Sequence, residues 1–439
     1  RHERRKEVNR IPSLTRLAQQ LRPDPARVVV RPFKPATEPR DLKSTDRSRA
    51  NRIVDRVLAL EPDAATSQLT DVLENFRGRH RQLLEIFEAR ADEMEEALDS
   101  HEPFTPTQRQ RVGAYFLHEY AFEASALFNP SIVRHPDQSG VIEGGLRFIL
   151  SLRAVGEGHI SSLTFLTGMI SPGGRILMDP KSQLASIPRI SNRRTGPDGD
   201  EVELSFRPED DISECVIFPV TGSQANGIED ARFVEFVDGG HKTFYATYTA
   251  YSGHSIRTEL METRNFDTFR MYPLRGSAVR NKGMALFPRR VNGRYAMIGR
   301  QDNENLYLIY SDDLYTWDDG QPILRPTQPW EFVQIGNCGP PIETEHGWLL
   351  LTHGVGAVRR YSIGAVLLHR DDPTQVIGRL TEPLLRPEQS ERAGYVPNVV
   401  YTCGALLHQK LLVVPYGIAD TITGFATLDI DDLVAAMEK

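Results

Sequence analysis

The sequence predicts an all-β protein, a five-bladed β-propeller with an N-terminal helical extension. Three observations point there. Strand–turn–strand patterns recur five times after residue 115, most of them end in a similar acidic tail, and the residues before 115 follow helical spacing instead. The chain is therefore divided into 1–115, an extended arm and α-helical extension able to serve oligomerisation, and 116–439, the propeller.

Residues 22–46 are rich in charge and proline (Pro23, Pro25, Pro32, Pro35, Pro39), which favours an extended chain. Ile53, Val54, Val57, Leu58 and Leu60 outline a short helix stopped by Pro62. Apolar residues then keep helical spacing through Leu69, Val72, Leu73, Phe76, His80, Leu83, Leu84, Phe87, Met94 and Leu98, while Glu and Arg fill the other face. An amphipathic helical hairpin follows, packed on the main domain or joining subunits. Periodicity does not separate the two.

The hairpins come next. The first runs 128–133 and 146–152, and the second 229–237 and 243–249 around Asp238-Gly239-Gly240. The third runs 284–289 and 295–299 around Asn292-Gly293, and the fourth 340–344 and 348–353 around His346-Gly347. The fifth runs 398–402 and 411–415, with its turn near Gly404. Each has turn chemistry between two strand-like runs. Tails such as Ser311-Asp312-Asp313-Leu314-Tyr315-Thr316-Trp317 and His369-Arg370-Asp371-Asp372-Pro373 close most units. A propeller brings the first strands of its blades to a central axis. Asn129, Glu229, Asp230, Lys282, the 337–340 turn and Asn398 would then meet at one end of it. A β-sandwich is the competing architecture.

Composition narrows the function. At 40% apolar and 25% charged residues the chain is of globular type, and a net charge of −7 argues against nucleic acid as a partner. No apolar run reaches the roughly 18 residues of a membrane span. Cys215, Cys338 and Cys403 make neither a disulfide framework nor a metal set, and no P-loop or dinucleotide fingerprint occurs, so no metal and no cofactor is expected. The charged start, Arg1 to Lys6, has no apolar core behind it, which fits a cytoplasmic, reducing location.

The chemistry concentrates in Gly227-Ile228-Glu229-Asp230-Ala231-Arg232, two carboxylates and an arginine between strand-like runs. Carboxylates at strand ends near basic groups suit sugar-bond cleavage. On a regular strand Glu229 and Asp230 point to opposite faces, so one of them is expected to face a given substrate atom. Arg153, Arg232, Arg280, Lys282, Arg300 and His353 could form an anion cradle, since guanidinium forks suit phosphate. Taken singly, each of these residues reads as a turn residue or a surface charge. The repeat is what gathers them. Tyr115, Tyr245, Tyr248, Tyr251, Trp348 and Tyr395 could stack on sugar faces or fill blade cores.

These motifs resemble glycoside hydrolase family 130, the β-mannoside phosphorylases and mannosidases, over about residues 125–425. The resemblance rests on Asn129-Pro130-Ser131, on the 227–232 motif, and on Asn281-Lys282-Gly283-Met284-Ala285-Leu286-Phe287-Pro288. It continues through the 335–342 and 347–355 segments, Val396-Pro397-Asn398-Val399-Val400, and Tyr416-Gly417-Ile418-Ala419-Asp420. It implies a five-bladed propeller and makes Asp230 the catalytic acid, delivering its proton through the mannose 3-hydroxyl. Phosphate attacks the anomeric carbon from the opposite face and gives α-mannose 1-phosphate with inversion. Phosphate is thus a co-substrate and no cofactor is implied. By motif position Arg280, Arg300 and His353 resemble the family's phosphate ligands, with Gln334 beside them. Asn129, Arg153 and Asp420 resemble its sugar contacts, and Glu229, Lys282 and Asn398 join the substrate-binding set. Two departures stand out: Ala231 where the family usually has proline, and Gln334 where phosphorylases commonly carry lysine.

The expected partners are a β-1,4- or β-1,2-linked mannoside, phosphate, and further copies of the chain in a homo-oligomer. Two alternatives remain. One is an inverting β-mannosidase, in which Glu229 or a loop glutamate activates water. The other is a propeller that binds glycans without cleaving them.

Overall fold

The computed structural model describes residues 12–39, 47–98 and 102–438. The 40–46 end of the expected arm lies outside them. The chain forms two compact parts: Pro25–Phe122 with Ser182–Ser186, and the remainder. No helix among the described residues is long and apolar enough to cross a membrane.

Among the described residues the smaller part holds four helices, Arg49–Leu58, Pro62–Phe76, Leu83–Ala97 and Pro106–Tyr115. It also pairs Val29–Pro32 with Leu117–Tyr120. The Ser48 hydroxyl caps the first helix by accepting from the Asn51 amide, and Thr105 and Gln108 form a capping box on the last. Val54, Val57, Ala91, Met94, Phe104, Val112 and Phe116 form the core. The long helical pattern of 69–98 breaks between Phe76 and Leu83, where Gln82 takes a left-handed conformation. Part of the proline-rich arm is a paired strand, because Val29 and Val30 find partners in Tyr120 and Glu119.

The larger part is β-sheet. The first four expected hairpins appear with shifted boundaries. In the fifth the tight turn falls at 409–410, between Leu406–His408 and Leu411–Ile418, and not near Gly404, because Val400–Tyr401 pairs with Gly417 and Ile418 at the far end of that strand. Ala126–Arg134, Leu146–Val155 and Ser161–Ile170 run antiparallel. Gly227–Asp238, His241–Tyr251, Ile256–Thr263 and Thr268–Pro273 do the same. These two groups count as one sheet only through a single parallel bridge, Gly227 to Ser161. A third sheet is Ala285–Leu286, Tyr295–Gly299, Leu306–Ser311 and Gln321–Leu324. A fourth is Gln334–Asn337, Gly347–Val355, Tyr361–Leu368 and Val376–Arg379, with Ile342–Thr344 beside it. A fifth is Val400–Tyr401, Leu411–Ile418 and Ile422–Asp429, and Thr15–Leu21 from the start of the chain joins its outer edge.

Period-2 alternation explains how these sheets pack. In the strand Gly347–Val355, Trp348 and Leu350 join a core with Ile298 and Leu308 of the third sheet, while Leu349 and Leu351 join one with Val414 and Ala426 of the fifth. Phe236 and Leu260 pack with Leu286 and Met297, so the second group meets the third sheet. Phe165 and Ile149 pack with Phe233 and Phe244, joining first and second. Hydrogen bonds tie the fifth to the first: Leu127 N to Thr421 O at 2.9 Å and Cys403 N to Pro130 O at 2.8 Å. The tail 311–317 is a structural stop. Ser311 Oγ lies 2.7 Å from the Asp313 carbonyl and 2.6 Å from that of Thr316, its one proton serving either, and Trp317 is buried with Nε1 donating to Leu314 O.

Candidate active site

Two matched bulges build the acidic wall. Along Gly227–Asp238 the register runs Glu229 opposite Thr249, then Arg232 opposite Thr247, so this strand carries one extra residue. Along Ala126–Arg134 it runs Phe128 opposite Arg153, then Ser131 opposite Ser151. At both places the bulged residue is left-handed, Asp230 at φ 49° and Asn129 at φ 48°. Asp and Asn tolerate this conformation best after glycine, and a bulge re-aims its side chain. The Asn129 amide thereby donates to Asp230 Oδ1 at 2.8 Å.

The bulge also overturns one expectation. Glu229 and Asp230 do not diverge, because the pleat is interrupted between them. Arg153 meets both, with Nη2 2.9 Å from Glu229 Oε1 and Nη1 3.4 Å from Asp230 Oδ1. Arg153 is itself held by Nε donating to Ser161 Oγ at 2.9 Å. Lys282 Nζ lies 3.5 Å from Glu229 Oε2.

The cationic wall is buried. Arg232 is 2% exposed, donating from Nη1 to the Asp230 carbonyl at 2.8 Å and from Nη2 to the Tyr401 hydroxyl at 2.6 Å. Arg300, 7% exposed, follows the strand Tyr295–Gly299 and sets Nη1 3.2 Å from His353 Nε2. Gln334 Nε2 is 3.5 Å from the same nitrogen. The His353 ring stacks on Tyr361 and meets Tyr401 edge-on at 4.9 Å between centroids. Among the described residues neither Arg232 nor Arg300 forms an ion pair with a carboxylate side chain.

The electrostatics follow. Burial, then the charges of Arg300 and Arg232, hold the His353 imidazole well below its usual range, so it is neutral at pH 7. Its Nε2 can accept from Arg300, which leaves the ring proton on Nδ1. Burial pushes the Asp230 carboxyl up, but Arg153, Lys282, Arg232 and the Asn129 amide outweigh it and hold it below the ordinary carboxylate range. Asp420 goes the other way. Burial first, then the Asp230 charge, raise it to about 6 against the pull of Arg153, Lys282 and Arg359.

Several buried polar atoms here lack a partner: Asn129 Oδ1, Arg232 Nε, Arg300 Nε and both amide atoms of Asn337. Each such group costs roughly 1–3 kcal/mol when left unsatisfied, so their clustering marks a surface built for a polar ligand. Two glycines permit the approach. A Cβ on Gly336 would sit 2.3 Å from His353 Cε1, and one on Gly417 would sit 2.7 Å from Asn129 Oδ1.

The expected residues are placed unevenly. Asn129, Arg153, Glu229, Asp230 and Lys282 form one contact network, and Arg300, Gln334 and His353 a second. Arg232 and Tyr401 link them, since Arg232 reaches Asp230 and Tyr401 borders His353. Asp420 joins through its field. Arg280 stands apart: it is exposed and lines a cavity of about 480 Å³ with Ser277, Gln301, Asp302, Asp319 and Gly320. Asn398 is left-handed, and its side-chain oxygen accepts from Arg392 Nε at 2.7 Å. Sequence reasoning missed Tyr401, Tyr361 and Arg359, and reached Asn337 only as part of the 337–340 turn. None of those three lay in a segment singled out for chemistry.

A family model described as beta-1,4-mannooligosaccharide phosphorylase matches residues 208–439. A 1,2-beta-oligomannan phosphorylase of Thermoanaerobacter sp. (strain X514) is 37% identical over 229 residues, which is 51% of this chain and 75% of that protein. A beta-1,2-mannobiose phosphorylase of Listeria innocua is 31% identical over 265 residues, 58% of this chain and 71% of that protein. The solved structure of the Listeria innocua beta-1,2-mannobiose phosphorylase with beta-1,2-mannobiose superposes with a TM-score of 0.51. It covers 71% of this chain and 92% of that one at 21% identity, and so shows a shared fold. With more than half of its length matched by the family model, the chain belongs to glycoside hydrolase family 130.

Proposed function

We propose that the protein is an inverting β-mannoside phosphorylase that converts a β-mannoside and phosphate into α-mannose 1-phosphate and a free sugar. One observation carries this reading. Two buried guanidiniums, Arg232 and Arg300, flank a neutral histidine without carboxylate partners, directly beside Asp230. Burying two cations with only the nearby Asp230 charge to balance them costs several kcal/mol, so such a wall favours an arriving anion.

Each residue then has a task. Arg300, His353 and Gln334 hold phosphate and Arg232 adds charge, while Arg280, exposed and apart from these contacts, would reach phosphate only by a movement of its loop. Gln334 offers an amide where a lysine is common, and the buried arginines make up the lost cation. Asn129, Arg153, Glu229, Lys282, Asn398 and Asp420 hold the mannose unit. Asp230, ionised in the free site, takes up a proton from the arriving dihydrogen phosphate and passes it through the mannose 3-hydroxyl to the glycosidic oxygen as the C1–O bond breaks. A phosphate oxygen forms the new bond on the opposite face. Phosphate brings its own negative charge, so the protein need only position and neutralise it. In the mannosidase alternative Glu229 would serve as the base, but it is already engaged by Arg153 and Lys282.

We read the five sheet groups as five blades. Left-handed Asn129, Asp230, Asn281 and Asn398 recur near the start of the first, second, third and fifth, as rotationally related blades would place them. The relatives reported act by name on β-1,2 linkages and the family description names β-1,4, so both are substrates to test. The experiment is turnover of each mannoside against phosphate concentration, in the wild type and in Asp230→Asn. Saturable phosphate dependence, lost in the variant, supports the reading. Equal release of mannose without phosphate overturns it.

A further inference from the structure

Two exposed rings sit beside the proposed mannose contacts without a role in them. Tyr395 is 67% exposed, and its ring lies 5.3 Å from that of His159, centroid to centroid, at 35°. Both rings stand on fixed backbone. The Tyr395 amide donates to Thr421 Oγ1 at 2.9 Å, and the Val396 amide to the Ala419 carbonyl at 3.1 Å, so this loop is fastened to either side of Asp420. The Thr421 carbonyl accepts from Leu127, two residues before Asn129.

His159 is anchored as firmly. It occupies the tight turn between Leu146–Val155 and Ser161–Ile170, left-handed at φ 58° with its amide donating to Gly156 O. Two residues on, Ser161 Oγ accepts from Arg153, which reaches Glu229 and Asp230. The ring pair thus spans the first and fifth sheets, a few residues from the acidic wall on both sides. The matching turn of the fourth sheet, between Gly347–Val355 and Tyr361–Leu368, holds Val358, 92% exposed and left-handed at φ 56°. A β-branched residue at positive φ is uncommon.

We propose that the Tyr395–His159 pair is the platform on which the sugar ring on the leaving side of the scissile bond rests, and that it selects the acceptor. This rests on the phosphorylase reading. The C–H face of a hexose is apolar and its hydroxyls lie at the rim. A rigid aromatic face supplies contact area at little entropic cost. An exposed ring with both neighbouring amides tied down is pre-organised for this and contributes little to the core.

The test runs the reaction in the synthetic direction, from α-mannose 1-phosphate with mannose or β-1,2-mannobiose as acceptor. Tyr395→Ala and His159→Ala should raise acceptor KM roughly 3- to 10-fold, the range that corresponds to an aromatic contact. KM for α-mannose 1-phosphate should stay within twofold, and Tyr395→Phe should restore the acceptor KM. Saturation-transfer NMR of β-1,2-mannobiose on the intact protein reads binding without turnover, and its signal should fall in Tyr395→Ala. If the wild type turns over while acceptor KM and the NMR signal are unchanged in the variants, the platform is wrong and the phosphorylase stands. If both substrates' KM values rise together with a lower melting temperature, the rings merely pack the loops and the platform is again wrong. If the wild type makes no sugar phosphate but the NMR signal still depends on Tyr395, the phosphorylase reading fails and the platform survives as a sugar site.

Discussion

Replacing Gly336 by alanine perturbs the proposed phosphate site without touching a polar atom. The new Cβ would stand 2.3 Å from His353 Cε1 and 2.8 Å from Nε2, so the ring must retreat by about 0.7 Å to reach even 3.0 Å. It has little room. His353 is 2% exposed, with Tyr361 stacked on one face and Tyr401 edge-on at 4.9 Å. Overpacking of this kind costs roughly 1–3 kcal/mol. The retreat also strains the 3.2 Å contact with Arg300 Nη1. A hydrogen bond to a charged group contributes about 1.5–3 kcal/mol, and 1.4 kcal/mol is tenfold in affinity. Phosphate KM should therefore rise about 10- to 100-fold, while mannoside KM, set by the wall around Asp230, moves less than about threefold. Steady-state kinetics with each substrate varied in turn reads this directly. A folded Gly336→Ala variant with unchanged phosphate KM would refute the placement of His353 in that site.

Other predictions use the same geometry. Asp230→Asn should lower kcat at least about 100-fold, the usual scale of a lost general acid, with little change in phosphate KM. Arg300→Gln should raise phosphate KM at least about tenfold. Inorganic phosphate should raise the melting temperature of the wild type and fail to do so in Arg300→Gln, since saturation at 100 times Kd contributes about 2.7 kcal/mol. Asp420 carries a pH signature. Its folded carboxyl stands at about 6 against an ordinary 3.8, so the fold binds its proton more tightly than the unfolded chain does. Its destabilising contribution is absent below pH 3.8, builds between 3.8 and about 6, and is complete above. Asp420→Asn should therefore melt higher than the wild type at pH 7.5, by on the order of 1–3 kcal/mol, with the gap closing toward pH 4. Denaturant melts at the two pH values decide it.

Local signals were legible and long-range ones were not. Four hairpins could be read because glycine-bearing turns separate alternating apolar runs, as at Asp238-Gly239-Gly240 and Asn292-Gly293; in the fifth, Gly404 drew the turn away from its place at 409–410. The strand Thr15–Leu21 could not be read: Thr-Arg-Leu-Ala-Gln-Gln-Leu has no strand pattern and owes its form to pairing with Ile422–Asp429 some 400 residues away. The helix Pro106–Tyr115 was missed because Pro-Thr-Gln-Arg-Gln-Arg-Val-Gly-Ala-Tyr buries only Val112 and Gly113 and shows no apolar stripe. At the site, the residue types of the 227–232 motif were visible, but the direction of Asp230 depends on an extra residue in the ladder, which alternation cannot reveal. Tyr401 lies in a strand of two residues and becomes relevant only through distant partners, Arg232, 169 positions earlier, and His353.

The central claim is that a phosphate oxygen, held by the buried arginines, takes the mannosyl group while Asp230 supplies the proton. Phosphorus and proton NMR of the protein with β-1,2- and β-1,4-linked mannosides, with and without phosphate, tests it most directly. The account predicts α-mannose 1-phosphate as the first-formed product, and only when phosphate is present. Free mannose at the same rate in both buffers would contradict it.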